Sequence, residues 1–580
     1  MARSVTLASN DSTRYYLTSY LITTTDQTAW PESGHLVFIG TFCLPNDPES
    51  LNEKYTYEIA DASLNPDQKL HYFQVSQSLH STISRDLAKA LNQFHKIDES
   101  ERYWSIITGV WLRSFIDLVV SRAVVLTRIQ RGHNDLNLIS ADPRSCIRAA
   151  GNYVQFLSFT KSPEWNSIIF SDIWSHCSTV ERFTPPKLAD SSYGSNTKTH
   201  ATNSKYILSA TYIPRIREAV LSLMLCTLPR RIKVVQPPTL ESNTLLRQQL
   251  NLGTESGDDF EIIVKELIRD FFPTAFLEGF RDLKCMIPLM KFTENPKSIF
   301  TSNRHLYDDV FNAWVANATS QGSSLTLGQH GGYFGISKYP SFAERHELSI
   351  ADRYITWGWK SSPVTVSGPI LTTIGMSRKS IARGSKLVVV TEQLWSLPRS
   401  SFSDFDDSPI YFEHLESCIK KLPSNIHDET KIRLHPSDGT TAKPMSDRWK
   451  QHAPGIEIDD CSDSFRMALK SAKLILVAHN STTLPEAISM NIPTLVFWKP
   501  AWVEIRDSAI PVFNKLEEVG IFHSDSDALA RHITAIWDDV DKWWQSSEVC
   551  DARKLFCDSY AKSMPRPLSF LRKMLKESNS

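Results

Sequence analysis

The apolar positions change their period along the chain. In VSQSLHSTISRDLAKALNQFHKI they fall at Leu79, Ile83, Leu87, Leu91 and Phe94, three to four residues apart. That spacing predicts a helix with one buried face inside residues 75–130. The segment SIITGVWLRSFIDLVVSRAVVLTRI follows and is apolar nearly all round, interrupted by Arg113, Asp117 and Arg122. Those charges leave no unbroken stretch of the ~18–20 residues a bilayer needs, so a helix buried in a protein core is predicted. Upstream, Tyr20–Thr24 and Leu36–Gly40 read as short buried strands, with Pro31, Ser33 and Gly34 forming the loop between them.

From about residue 296 strand and helix patterns alternate. Strands are expected at 298–303, 325–332, 353–359, 386–392, 431–436, 456–459, 474–480 and 493–498. Helices are expected at 308–318, 410–421, 464–471 and 484–490, with earlier ones at Arg215–Leu228 and Phe260–Phe272. Ala552–Leu575 reads as partly helical, while Thr184–Lys205 and Pro237–Asp258 read as polar surface loops. Strands alternating with helices imply parallel sheets with crossover helices. The polar segment Gly375–Lys386 marks a boundary. The expected architecture is α/β, with two Rossmann-like lobes. An N-terminal lobe over residues 16–375 is enlarged by helices, and a C-terminal lobe covers 380–580.

Charge narrows the classes of partner. The 63 Lys and Arg are balanced by 64 Asp and Glu, for a net charge of -1. With no long basic run, this is a poor nucleic-acid scaffold. The nine cysteines are scattered and form no CxxC pair, as expected of reduced thiols in a cytosol. The opening MARSVTLASNDSTRYY lacks the apolar centre of a signal peptide. A cytoplasmic location is expected.

Three clusters carry candidate chemistry. Gln329-His330-Gly331-Gly332-Tyr333-Phe334-Gly335 lies where a strand meets a loop. Ligands of open parallel sheets bind beyond strand carboxyl ends, and an imidazole can move a proton near neutrality. A tight turn with a structural histidine is the equal alternative. Glu344, His346 and Glu347 follow, as a base with its orienter or as a solvated face. The second cluster is Arg433-Leu434-His435-Pro436. It offers a guanidinium fork for phosphate, or simply a cap and a turn proline. The third is Asn480-Ser481-Thr482-Thr483-Leu484-Pro485-Glu486, hydroxyl-rich at a strand-to-helix turn. It suits a phosphate, with Glu486 on a ribose hydroxyl, or is an ordinary helix cap. His435 and Ser481–Thr483 are expected at strand ends of one lobe.

Phosphate-binding P-loop, nucleophile-elbow, HExxH and GxGxxG signatures are absent. Asp404-Phe405-Asp406 and Asp525-Ser526-Asp527 have a metal-nucleotide spacing but read better as loop and cap carboxylates, so no metal is expected. Tyr354, Trp357 and Trp359 are candidates for sugar stacking, with core packing the commoner role.

The segments YLITTTDQTAWPESGHLVFIGTFC, ERYWSIITGVWLRSF, LGQHGGYFGISKYPSFAERHELSIADRYITWGW, KIRLHP and NSTTLPEAISMNIPTLVFW together carry a resemblance. The chain resembles the bacterial surface-carbohydrate transferases of spirochaete lipopolysaccharide loci, over about residues 18–560. More loosely it is similar to GT-B glycosyltransferases that use CMP-activated acid sugars, such as capsule Kdo transferases and some sialyltransferases. His435-Pro436 and Ser481-Thr482 look like the two elements with which those enzymes hold CMP. The sialyltransferases place a catalytic Asp in an Asp-Gly pair of the first lobe; here the one such pair is Asp438-Gly439, in the second.

The resemblance implies a metal-independent glycosyltransferase of lipopolysaccharide or surface polysaccharide. It would need no cofactor beyond a CMP-linked nucleotide-sugar co-substrate, with this donor held by the C-terminal lobe and the acceptor over the N-terminal one. A nonulosonic or Kdo-like acid would pass to a glycan or lipid-linked acceptor, with peripheral contact at the inner face of the membrane. Under this expectation His330, Glu344 and Glu347 are catalytic. Arg433, His435, Pro436, Asn480, Ser481, Thr482, Thr483 and Glu486 bind the donor. Gln329, Gly331, Gly332 and Tyr333 form the acceptor loop. The alternatives are a CDP-polyol phosphotransferase of teichoic-acid type and a non-catalytic glycan-assembly protein on the same scaffold.

Overall fold

The computed structural model describes residues 18–45, 51, 54–61, 63–133, 135–142, 146–177, 204–229, 233–237, 239–253, 258–376, 384–392, 408–436, 445–461, 465–499 and 504–577. The chain divides into two compact units. One takes in residues 1–63, 122–146 and 162–180; the other takes in 64–121, 147–161 and 181–580.

The smaller unit is built on a parallel sheet of β1 (Ser19–Ile22), β2 (Gly34–Phe38), β3 (Tyr55–Ile59) and β4 (Leu136–Ile139), in the order β3-β2-β1-β4. Leu21, Ile22, Leu36, Val37 and Phe38 are fully buried. The two predicted strands thus lie at its centre. β3 and β4 were not anticipated. They are short edge strands with half-exposed residues and carry little apolar signal.

The larger unit holds two parallel sheets. The first runs in chain order: β5 (Tyr206–Leu208), β6 (Ser298–Thr301), β7 (Ser324–Gly328), β8 (Arg353–Thr356) and β9 (Thr365–Ser367). The second contains β10 (Lys386–Val390), β11 (Thr430–Arg433), β12 (Glu457–Asp459), β13 (Ala472–Val477), β14 (Thr494–Phe497) and β15 (Phe522–His523). Its order is β12-β11-β10-β13-β14-β15. Counted from β10, this is the doubly wound order 3-2-1-4-5-6. Leu387–Val389 and Leu474–Val477 are buried, as central parallel strands covered on both faces require. The winding reverses between β10 and β13, opening a crevice beyond their carboxyl ends. Among the described residues two parallel sheets precede residue 376 and one follows residue 384, and the fold is α/β with Rossmann-like sheets.

The predicted helices form close to their expected limits. Asp309–Ser320 starts where the Asp308 carboxylate accepts from the Phe311 N–H. Glu101–Gly132 is the apolar helix, and the charges that interrupt it are used inside the protein. Asp117 pairs with Arg345 and accepts a hydrogen bond from Ser76. Among the described residues no helix is long and apolar enough to cross a membrane. The C-terminal segment forms helices Ser547–Tyr560 and Pro567–Lys576. Leu571 and Leu575 pack with Phe300, Ile355 and Leu371, against the five-stranded sheet.

Candidate active site

The turn after β7 is set by Gln329. Its N–H continues the ladder to Ile355 O at 2.8 Å. Its buried side chain accepts from Trp357 N–H and Trp359 Nε1–H, each at 2.8 Å, and donates to Gly331 O at 2.7 Å. Both polar atoms of that amide are occupied, so Gln329 holds the loop in shape. Gly331 is buried and Tyr333 half-buried, its ring edge-on to Phe334 at 4.7 Å.

Gly332 meets the second sheet. A Cβ there would stand 2.0 Å from Ser481 O and 2.7 Å from Thr482 N, so only glycine permits this approach. The Gly332 N–H donates to Thr482 Oγ1 at 3.3 Å. Beyond the turn, Lys338 N–H donates to Glu504 O at 2.8 Å and Arg506 N–H to Ile336 O at 2.9 Å. The glycine turn of one sheet and the hydroxyl turn of the other therefore share one place.

His330 points at the helix Phe342–Ile350, which begins at the Ser341 cap. Its Nε2 lies 2.7 Å from Glu347 Oε1, and His305 Nε2 lies 3.0 Å from the same oxygen. Tyr354 OH donates to Glu347 Oε2 at 2.9 Å. A carboxylate only accepts, so both Nε2 atoms carry hydrogen. Burial pushes the Glu347 pKa up. The charge of His330 and the hydrogen bonds from His305 and His330 more than reverse this and hold it at about 2. Glu347 is thus a fully buried carboxylate that holds two imidazoles and a tyrosine hydroxyl.

Glu344 turns elsewhere. Arg506 Nη2 lies 2.9 Å from Oε1, and Gly335 N–H donates to Oε2 at 3.2 Å. Burial raises its pKa, with the Arg506 charge opposing. Its oxygens are committed to holding the turn. His346 is buried, and burial drives its pKa well below the usual histidine range, with His305 acting the same way.

At the reversal of the second sheet, His479 Nε2 stands 3.5 Å from Glu392 Oε2. Burial lowers His479 to about 4, so it is neutral at neutral pH. Asn480 donates to Ser337 Oγ at 3.3 Å, while its buried Oδ1 has no hydrogen-bond partner among the described residues. Ser481 Oγ accepts from Thr483 N–H at 3.3 Å. Thr482 stands at the N-cap of the helix Thr483–Ser489 without a side-chain cap bond. Burial raises Glu486 to about 7.

Arg433 Nη1 lies 2.6 Å from Asp459 Oδ2, its register partner across β11 and β12, and both side chains are buried. Its charge is spent on that carboxylate. His435 is half-buried and Pro436 exposed beyond β11, with β10 between that strand and β13. The structure thus brings His330, Glu347, Gly332 and Ser481–Thr482 into one place; His435 leaves the same edge of the sheet one strand further off. Asp525 caps the helix Ser526–Ile536, accepting from Asp527 and Ala528 N–H. Asp404, Asp406, Asp438 and Gly439 lie outside the described residues.

Sequence reasoning missed His305, Glu392, His479 and Tyr212. The first three follow strand ends, a signal that was available. Tyr212 had no periodic signal. It sits at φ 63°, is 38 % exposed, and its ring centroid is 5.9 Å from that of His330. Its hydroxyl accepts from Asn303 at 3.1 Å. Tyr354, Trp357 and Trp359 are buried and serve the core instead.

The model of the LIC12162 family transferase matches residues 19–575. The chain belongs to that family of transferases. No curated protein matches it. Among solved structures, a spinosyn rhamnosyltransferase, SpnG, in complex with spinosyn aglycone is 13% identical. That match covers 64% of this chain and 99% of SpnG, with a TM-score of 0.31. WaaG, a glycosyltransferase involved in lipopolysaccharide biosynthesis, is 10% identical over 64% of this chain and 99% of its own, at a TM-score of 0.28.

Proposed function

We propose that this transferase is a GT-B-type glycosyltransferase of surface polysaccharide or lipopolysaccharide synthesis, moving an acid sugar from a CMP donor to a glycan or lipid-linked acceptor. One observation carries the reading. An oriented histidine, His330, sits on a turn whose Gly332 touches Ser481 and Thr482 at the reversal of a 3-2-1-4-5-6 sheet. On this reading a base and a nucleotide crevice adjoin. The resemblance of His435-Pro436 and Ser481-Thr482 to CMP-holding elements supports the donor.

The chemistry follows from the groups present. His330 Nδ1 takes the proton of the acceptor hydroxyl, whose oxygen attacks the anomeric carbon. The bond from that carbon to the donor phosphate oxygen breaks, and CMP leaves. Glu347 fixes the His330 tautomer and stabilises the imidazolium that forms. The amide of Asn480 and the hydroxyls of Ser481, Thr482 and Thr483 receive the leaving phosphate as its charge grows. Glu486 holds a ribose hydroxyl. No metal enters these steps. The acceptor works at the cytoplasmic face of the membrane.

Product mass tests the reaction. Incubation with a CMP-linked nonulosonic acid or Kdo and a glycan acceptor should add one sugar and no phosphorus. A product that gains phosphorus belongs to polyol-phosphate transfer and contradicts the proposal.

A further inference from the structure

We infer that the face made by the helix Arg215–Met224 and the basic side of the C-terminal helix binds the surface of an anionic phospholipid bilayer. The helix Arg215–Met224 is amphipathic in an unusual sense. Its inner residues Leu221 and Leu225 pack with Phe300, Ile355, Leu571 and Leu575. Its outer stripe is also aliphatic. Ile216 is 80 % exposed, Val220 37 % and Leu223 63 %, at positions i, i+4 and i+7 of one face. Leu228, just past the helix, is 70 % exposed. Single exposed leucines are ordinary, but a contiguous stripe marks a contact surface.

Charge selects the partner. Arg215 and Arg217 are exposed on this helix, and Arg566, Arg572 and Lys573 are exposed on the neighbouring C-terminal segment. Arg572 Nε donates to Met224 O at 3.0 Å, which holds the basic helix beside the stripe. The five cations outnumber the two acids beside them, Glu218 and Glu577. Glu218 accepts from Thr211, and Glu577 lies 3.7 Å from Lys573. Between the two segments opens a cavity of about 460 Å³, lined by Arg217, Lys562 and Arg566 together with Met224, Met490 and Met564. Cations beside an aliphatic ridge match lipid phosphates lying above an acyl layer. The cavity supplies cations for one headgroup phosphate and thioethers for the chain beneath it.

This surface uses none of the side chains placed at the His330 turn, so its failure and that of the donor assignment are separately readable. Co-sedimentation of the full chain with vesicles tests it. Binding to vesicles of roughly 70:30 phosphatidylcholine and phosphatidylglycerol should exceed binding to pure phosphatidylcholine by about tenfold or more, and fall in high salt. The double variant Ile216→Asp, Leu223→Asp should lose about tenfold or more of that binding, since it removes apolar insertion and adds repulsion. It should keep the wild-type melting temperature and nucleotide titration, because both side chains stand outside the core. Leu555→Asp, at a 42 % exposed leucine elsewhere, should bind like wild type. Equal binding to neutral and anionic vesicles, or undiminished binding by the double variant, would overturn the inference.

Discussion

His330 and Glu347 form the shortest contact of the buried cluster beside the glycine turn, Nε2 to Oε1 at 2.7 Å, and the same oxygen also takes His305 at 3.0 Å. One carboxylate oxygen thus receives the Nε2–H of two imidazoles, and His330 is the one on the glycine turn.

Glu347→Gln tests the role of that charge. The amide keeps the shape and can leave its carbonyl toward both histidines, with its NH2 donating to the Tyr354 hydroxyl, so the variant removes the negative charge and little else. Turnover should fall by about a thousandfold, as for orienting carboxylates in triads. Nucleotide affinity measured by calorimetry should stay within about twofold. Wild-type turnover would remove Glu347 from the mechanism.

Gly332→Ala should be more costly than its size suggests. The new Cβ meets the Ser481 carbonyl, which is backbone and has no rotamer to change. We expect a loss of about 1–3 kcal/mol in denaturant unfolding, with weakened nucleotide binding, because the two turns must part.

The Arg433–Asp459 pair makes a prediction about stability. Arg433→Met takes the nearer cation from a buried carboxylate, leaving Lys431 at 4.0 Å, and should cost about 3 kcal/mol. The double variant Arg433→Met, Asp459→Leu should recover most of that loss. If Arg433 instead serves mainly a phosphate, the single variant should fold normally and fail in nucleotide binding.

Glu486 gives a pH signature. Its folded pKa of about 7 lies above the ordinary 4.5, so the folded chain holds a proton that the unfolded chain releases. Its contribution to stability is complete below the ordinary value and is lost as pH rises towards the folded one. Glu486→Gln should therefore gain stability relative to wild type between about pH 5 and pH 7, by on the order of 1 kcal/mol. A pH-independent difference in thermal melts contradicts this assignment.

Much of the second Rossmann-like sheet could be read from the chain, because buried parallel strands are continuous apolar runs. LVVV and LILV announce β10 and β13 without a partner in view. The edge strands β3, β4, β9 and β15 are short and half-polar and gave no such signal. At the site, His330 and the Ser481–Thr483 turn were legible as residues at strand ends. The contact between them was not, since Gly332 against Ser481 joins positions far apart in the chain. Arg433 shows the converse limit. Its type suggested a phosphate, and only the register of β11 on β12 reveals Asp459 beside it.

His330 is proposed as the base of a CMP-sugar site beside the glycine turn. The most direct measurement pairs calorimetry with turnover, titrating CMP, CDP, UDP and GDP into the wild type and into His330→Ala. CMP should bind in preference to the other three, and equally to both proteins, while His330→Ala loses about a hundredfold or more of transfer. Absence of nucleotide binding by the wild type, or full transfer by the variant, would contradict the account.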